Sequence, residues 1–336
     1  MPGEEGPLGS GSDGAEQRLG AAQAALRTVL EGQSETVELA LACLVTGGHL
    51  LLEDAPGTGK TTLARALARV SGLSFSRVQM TADVLPSDVT GAVYPDGGGA
   101  GGSAGGLVFR PGPLFASVVL ADELNRTPPR TQSALLEAMA ERAVTVDGTR
   151  HALPDPFFVV ATQNPLEFAG TYPLPESQLD RFTVRLRPGY PDRSAEERML
   201  RARRGADPSD ALDAVLEPGD LAALRARATE LPMAEAVEAD LLDLVRATRD
   251  ARQFALGASP RATLDLDRLA RALAVLAGRA FVAPDDVRRA ALPALAHRVV
   301  PLDAEPGDPE AQEDAVRAVL ASVSVPRLSP DGDLVR

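Results

Sequence analysis

Lys60 is the only lysine among the 34 basic residues of the chain. It lies in Asp54-Ala55-Pro56-Gly57-Thr58-Gly59-Lys60-Thr61-Thr62, after the apolar run His49–Glu53 and before Leu63-Ala64-Arg65-Ala66-Leu67-Ala68. Strand, Gly-rich turn, Lys-Thr and helix form a P-loop arrangement. Its glycines let backbone N–H groups converge on phosphate oxygens, and the helix N-terminus adds a positive dipole end. The pattern therefore predicts ATP bound by Ala55, Pro56, Gly57, Thr58, Gly59, Lys60, Thr61 and Thr62. Lys60 would neutralise the β- and γ-phosphates, and the Thr61 hydroxyl would bind Mg²⁺. A compact ammonium does this work where a planar guanidinium fits badly. Asp54 departs from the pattern by standing where the first glycine is expected.

A second chemical signal follows about 60 residues later, where Ser117-Val118-Val119-Leu120-Ala121 runs into Asp122-Glu123. Acids at the carboxyl end of a buried strand emerge where ligands bind in an open parallel sheet. Asp122 is expected to hold Mg²⁺, and Glu123 to polarise the attacking water. The apolar run Phe157–Thr162 ends at Gln163-Asn164-Pro165, which makes Asn164 the candidate sensor of the γ-phosphate. Arg126 falls beside the expected metal site.

The elements that must position these residues follow from the pattern. Apolar runs at His49–Glu53, Phe75–Met80, Ser117–Ala121, Phe157–Thr162 and Thr183–Leu186 alternate with helical segments. That is an α/β chain with a mostly parallel sheet covered by helices. Residues 1–16, rich in Gly, Ser, Pro and Glu, read as a flexible tail, and residues 17–190 as the nucleotide-binding core. Two hairpins interrupt it, one at 92–109 with a Gly-rich tip, the other at 143–154 turned by Asp147-Gly148. Residues 191–302 read as a small helical domain and 303–336 as a C-terminal extension.

Composition narrows the partners. A net charge of −13 has the wrong sign for attracting phosphate backbones or anionic lipid. Cys43 is the only cysteine, so neither an internal disulfide nor a cysteine metal cluster can form. His49, His151 and His297 are far apart and read as structural. With no apolar run of membrane-spanning length and no signal-like N-terminus, the chain is expected to be cytoplasmic.

The segments GHLLLEDAPGTGKT, MTADVLPSDVTG, ADELNRTPPRTQSALLEAMAERAVTVDG, ATQNPLEFAGTYPLPESQLDRF and GASPRAT resemble the MoxR family of AAA+ ATPases, over about Thr28 to Val300. The resemblance implies an αβα P-loop sandwich of strand order 5-1-4-3-2 with a C-terminal helical lid. It also implies a homo-oligomeric ring, usually a hexamer, with ATP between subunits. Arg181 matches the finger offered to a neighbour, and Arg261 the lid arginine called sensor 2, acting in cis or in trans. From residues alone, Arg181 reads equally as an ion-pair partner of Asp180. The hairpins match the helix-2 insert and the pre-sensor-1 hairpin, and Val29, Gly32 and Gln33 resemble the segment beside adenine. MoxR proteins resemble chaperones that remodel or mature protein clients, often with a von Willebrand factor A-domain protein. Alternative readings are a nucleic-acid-remodelling motor, a nucleotide-gated scaffold with little hydrolysis, and a magnesium-chelatase-like ATPase subunit.

Overall fold

A computed structural model of the protein describes residues 10–55, 57–95, 107–164, 170–190, 192–202, 208–305, 307–328 and 334–335. Pro56, the Gly-rich tip 96–106 and the first nine residues lie outside them. Five parallel strands form the central sheet: β1 (Leu50–Glu53), β2 (Phe75–Gln79), β3 (Val118–Asp122), β4 (Phe158–Gln163) and β5 (Val184–Leu186). Their order is β5-β1-β4-β3-β2, as the family resemblance implies.

Strand alternation divides the core between the two faces. Leu50, Leu52, Val118, Leu120, Phe158 and Val160 pack on one face. They meet helices α1 (Ser10–Val29), α2 (Ser34–Thr46) and α3 (Lys60–Val70). Leu51, Val119, Ala121, Val159 and Ala161 face the other way, toward α4 (Pro129–Glu141). Burial on both faces explains why the inner strands read as continuous apolar runs. The edge strand β2 is only half covered, and its sequence Phe-Ser-Arg-Val-Gln leaves Arg77 and Gln79 free for the site.

The first hairpin pairs Gly91–Pro95 with Leu107–Pro111, and the second pairs Ala143–Val146 with Thr149–Ala152. Asp147 and Gly148 both adopt positive φ, 47° and 79°, as a type I′ turn requires. Phe109 stacks on His151 at 3.9 Å between ring centres, so the hairpins touch.

Both ends of the chain contribute packed helices. Helix α1 begins at Ser10, inside the stretch 1–16 whose composition reads as a flexible tail. Their small polar composition conceals a helical stripe, Ala15, Leu19, Ala22 and Leu26, that is fully buried. Arg18 on this helix grips Asp220 with two bonds, Nε at 2.7 Å and Nη2 at 2.6 Å. Asp220 opens α5 (Asp220–Glu230), which is followed by the helices α6 (Glu235–Ala247), α7 (Pro260–Leu276) and α8 (Pro284–Leu295). Pro284 with Asp285 and Asp286 forms the first turn of α8. On α7, Ala262, Leu266, Leu269 and Leu273 fill the buried face, and Leu264 is 57% exposed.

The second packed helix is at the C-terminus. Within the C-terminal extension, 303–336, α9 (Pro309–Ser322) packs on the body of the protein. Gln312, Val316 and Val319 are buried, and Gln312 Oε1 accepts from Arg185 Nη1 at 2.6 Å. Arg185 on β5 also faces Glu53, the last residue of β1, at 3.4 Å, and burial pushes the Glu53 carboxyl up from its usual value. Removing one partner of a buried pair leaves an uncompensated charge, at a cost of about 3–5 kcal/mol. Arg185→Met is therefore expected to lower unfolding stability by that amount. An unchanged denaturant midpoint would show that the buried pair does not stabilise the fold.

Among the described residues no helix is long and apolar enough to cross a membrane.

Candidate functional site

A cavity of about 370 Å³ opens at the carboxyl ends of β1, β3 and β4. Gly57 and Gly59, at φ 89° and 91°, shape the turn that lines it, with Lys60, Thr61 and Thr62 from the start of α3. Such φ values suit glycine and would strain any other side chain. Lys60 Nζ donates to the carbonyls of Asp54 and Ala55, both at 2.7 Å. Burial pulls its pKa down, while Asp54, Asp122 and Glu123 oppose the shift.

Asp54 points away from this cavity. Its carboxylate accepts from Ala55 N at 2.7 Å and from Gly189 N at 2.9 Å, tying the phosphate turn to the segment that leads into the lid. Gln33 braces the turn from the other side, its Nε2 donating to Thr58 O at 3.1 Å. Gly32, at φ 78°, makes the bend between α1 and α2, and Val29 packs half-buried at the end of α1.

The two acids are held by different partners. Asp122 Oδ1 accepts from Thr162 Oγ1 at 2.6 Å, and its Oδ2 from Arg77 Nη2 at 2.6 Å. Thr162 Oγ1 in turn accepts from Glu123 N at 2.8 Å. Glu123 has φ 58°, a left-handed conformation that costs a non-glycine residue energy and turns its side chain out of the strand direction. Its Oε2 accepts from Gln79 Nε2 at 2.7 Å and from Arg126 Nη1 at 3.2 Å. The Thr61 hydroxyl and the Asp122 carboxylate, hard oxygen donors on one cavity, fit Mg²⁺, which keeps several waters and takes few protein ligands. Asn164 and Gln163 line the far wall, where Gln163 Nε2 is buried without a hydrogen-bond partner.

Arg181 and Arg261 are elsewhere. Together with Arg142 and Arg268 they line a separate crevice of about 130 Å³, floored by Gly48 and His49. Arg181 Nη1 donates to Leu136 O at 2.8 Å.

Residues 49–184 match the ATPase family associated with various cellular activities (AAA), and residues 246–327 match the AAA lid domain. The second match covers α9, in keeping with its packing. The chain is 43% identical to the uncharacterised protein YeaC of Bacillus subtilis, over 92% of this chain and 95% of that one. It is 38% identical to the chaperone MoxR1 of Mycobacterium tuberculosis, over 98% and 88%. The chain belongs to the MoxR family of AAA+ ATPases. A solved structure of a candidate ATPase from Cytophaga hutchinsonii shares the fold with a TM-score of 0.82. Its identity is 32%, over 94% of this chain and 97% of that one.

The geometry adds three residues to this MoxR-family site that the sequence reading did not single out: Arg77, Gln79 and Thr162. Pairing of β2 with β3 sets Gln79 opposite Asp122, and neither residue reveals that partnership locally. Thr162 carried a usable signal, a hydroxyl at the end of an otherwise apolar strand.

His49 is structural, as expected. Its Nδ1 accepts from Val159 N at 3.1 Å, which puts the proton on Nε2, facing Met139 O at 3.3 Å. Burial, followed by Arg142, lowers its pKa from 6.5 to about 3. A folded pKa below the unfolded one gives stability that is present above pH 6.5 and lost as pH falls toward 3. At pH 5 the loss from His49 alone should be about 2 kcal/mol. His49→Gln should shrink the change in unfolding stability between pH 7 and 5 by about that amount, leaving the part due to the buried His297, whose pKa burial also lowers. A wild-type pH slope in that variant would assign the effect to other groups.

Proposed function

We propose that this MoxR-family protein hydrolyses Mg-ATP at the interfaces of a subunit ring and uses the cycle to remodel protein partners. One observation carries the reading. The cavity that holds the phosphate lysine, the metal acid and the water-directing carboxylate contains neither Arg181 nor Arg261, which share a crevice of their own. An arginine crevice on one subunit and a phosphate cavity on the next would complete each other, with Arg181 and Arg261 both acting in trans.

Within one subunit, Lys60 must leave the Asp54 and Ala55 carbonyls to meet the β- and γ-phosphates. Thr61 and Asp122 would hold the metal, which when bound neutralises charge developing on the phosphate oxygens. Glu123 takes the proton of the attacking water once its carboxylate is released from Gln79 and Arg126. Asn164 orients the water or the γ-phosphate. Val29, Gly32 and Gln33 border the adenine.

A protein client is favoured over nucleic acid by the net charge of −13 and by the composition of the hairpins. The second hairpin offers only Arg142, Arg150 and His151, and Arg142 is turned inward to Gly47 O and Phe157 O. The chaperone name carried by MoxR1 supports the same choice. A von Willebrand factor A-domain protein is the partner to try first, and a hexamer the assembly to expect. The test is phosphate release with Mg²⁺, with chelator, and with added DNA or RNA. Turnover should need Mg²⁺ and ignore nucleic acid. ATPase stimulation by DNA or RNA, or submicromolar salt-sensitive binding to either, would replace the protein-remodelling reading with a nucleic-acid motor.

A further inference from the structure

Arg298 is a charged residue with only 1% of its side chain exposed, in the short turn Ala296–Arg298 that follows α8. Its guanidinium reaches two elements far apart in sequence. Nη2 donates to Asp180 O at 2.9 Å and to Asp265 Oδ2 at 2.5 Å. Nε lies 3.1 Å from Asp180 Oδ1, and Nη1 donates to Ala294 O at 3.1 Å. The same Asp180 oxygen accepts from Ser259 Oγ at 2.8 Å, and Ser259 caps α7 by accepting from Ala262 N.

These partners bracket the two crevice arginines. Asp180 and Phe182 flank Arg181, and Phe182 O faces His297 Nε2 at 2.8 Å, so consecutive lid residues hold both neighbours of Arg181. Ser259 and Asp265 flank Arg261, one at the cap of α7 and the other one helical turn beyond it. Asp265 Oδ1 also lies 3.5 Å from Arg268 Nη1, a third arginine of the crevice.

We infer that Arg298, with Asp180, Ser259 and Asp265, is a positioning clamp that presents Arg181 and Arg261 to the neighbouring subunit as one rigid unit. Packing alone does not call for this arrangement, because apolar side chains of similar volume stabilise a core as well as a buried ion pair does or better. What the charged network adds is fixed geometry, with directional bonds from a single guanidinium to the loop of one arginine and the helix of the other. Arg298 lines neither the phosphate cavity nor the arginine crevice and acts through Arg181 and Arg261. The inference rests on the reading that these two act in trans.

The test uses mixed assemblies of full-length variants, with phosphate release and ATP affinity as readouts. Arg298→Gln should keep its own ATP affinity and lose about 10²-fold in turnover, the effect of a misplacement near 1 Å. It should regain activity when mixed with Lys60→Ala, whose Arg181 and Arg261 are intact. Mixed with Arg181→Ala it should regain none, since both then fail as donors. Arg298→Lys, which keeps the charge but not the forked geometry, should fall between. Rescue by Arg181→Ala subunits, or no rescue by Lys60→Ala subunits in assembled rings, overturns the clamp. If Arg298→Gln does not assemble, Ser259→Ala carries the test: it removes one bond to Asp180 and should show the same donor defect in milder form, and wild-type turnover overturns the clamp. Failure of the trans reading itself is separable. It would appear as no rescue between Arg181→Ala and Lys60→Ala, whatever Arg298 does.

Discussion

Glu123→Gln should bind ATP and turn it over about 10²–10⁴-fold more slowly, the usual worth of a positioned general base. The amide keeps the size of the carboxylate but cannot take a proton from water. The surrounding frame should survive, because Glu123 is held by its backbone N–H on Thr162 and by its left-handed φ of 58°, neither of which needs a charged side chain. Lys60→Ala should fail one step earlier. No other lysine exists in the chain, and among the described residues the other cation that lines this cavity, Arg77, is committed to Asp122. Nucleotide affinity should therefore collapse, and turnover with it. Calorimetric ATP binding and phosphate release on both variants separate the two roles. Normal hydrolysis by Glu123→Gln would mean that the catalytic carboxylate lies elsewhere.

The phosphate turn and the sheet were legible in the sequence because both are local signals. Gly57, Gly59 and Lys60 are tied together by a turn, and an inner strand shows its burial in consecutive apolar residues such as Val118 to Ala121. Relations between elements were not legible. Gln79 reaches Glu123 only because β2 and β3 pair in one particular register, and a shift of one residue would turn it to the opposite face. Asp54 looked like a flaw in a glycine motif, whereas it serves Gly189, which lies 135 residues along the chain. The early start of α1 was hidden for another reason. Ala15 and Ala22 are apolar but small, and their place in a stripe shows only once Leu19 and Leu26 are seen on the same face. The resemblance to MoxR proteins supplied the strand order and the candidate arginines, but not their distance from the phosphate cavity.

Arg181→Ala should bind ATP as the wild type does and lose roughly 10³–10⁵ in turnover, the range found for finger arginines. Its location sets the rest of the expectation. Arg181 lines a crevice with Arg261 and donates to Leu136 O, so it does not reach the phosphate cavity of its own chain. Activity must then depend on assembly, and specific activity should fall on dilution as rings dissociate. Mixing should reveal the same dependence. A Lys60→Ala subunit cannot use ATP, but it carries an intact Arg181. Next to an Arg181→Ala subunit, it completes a site whose lysine comes from one chain and whose arginine comes from the other. Each inactive protein should therefore restore part of the activity of its partner, up to the fraction of interfaces that join the two intact halves. Turnover that stays flat through dissociation, with no gain on mixing, would put the whole active site in one chain and leave the arginine crevice without a role in hydrolysis.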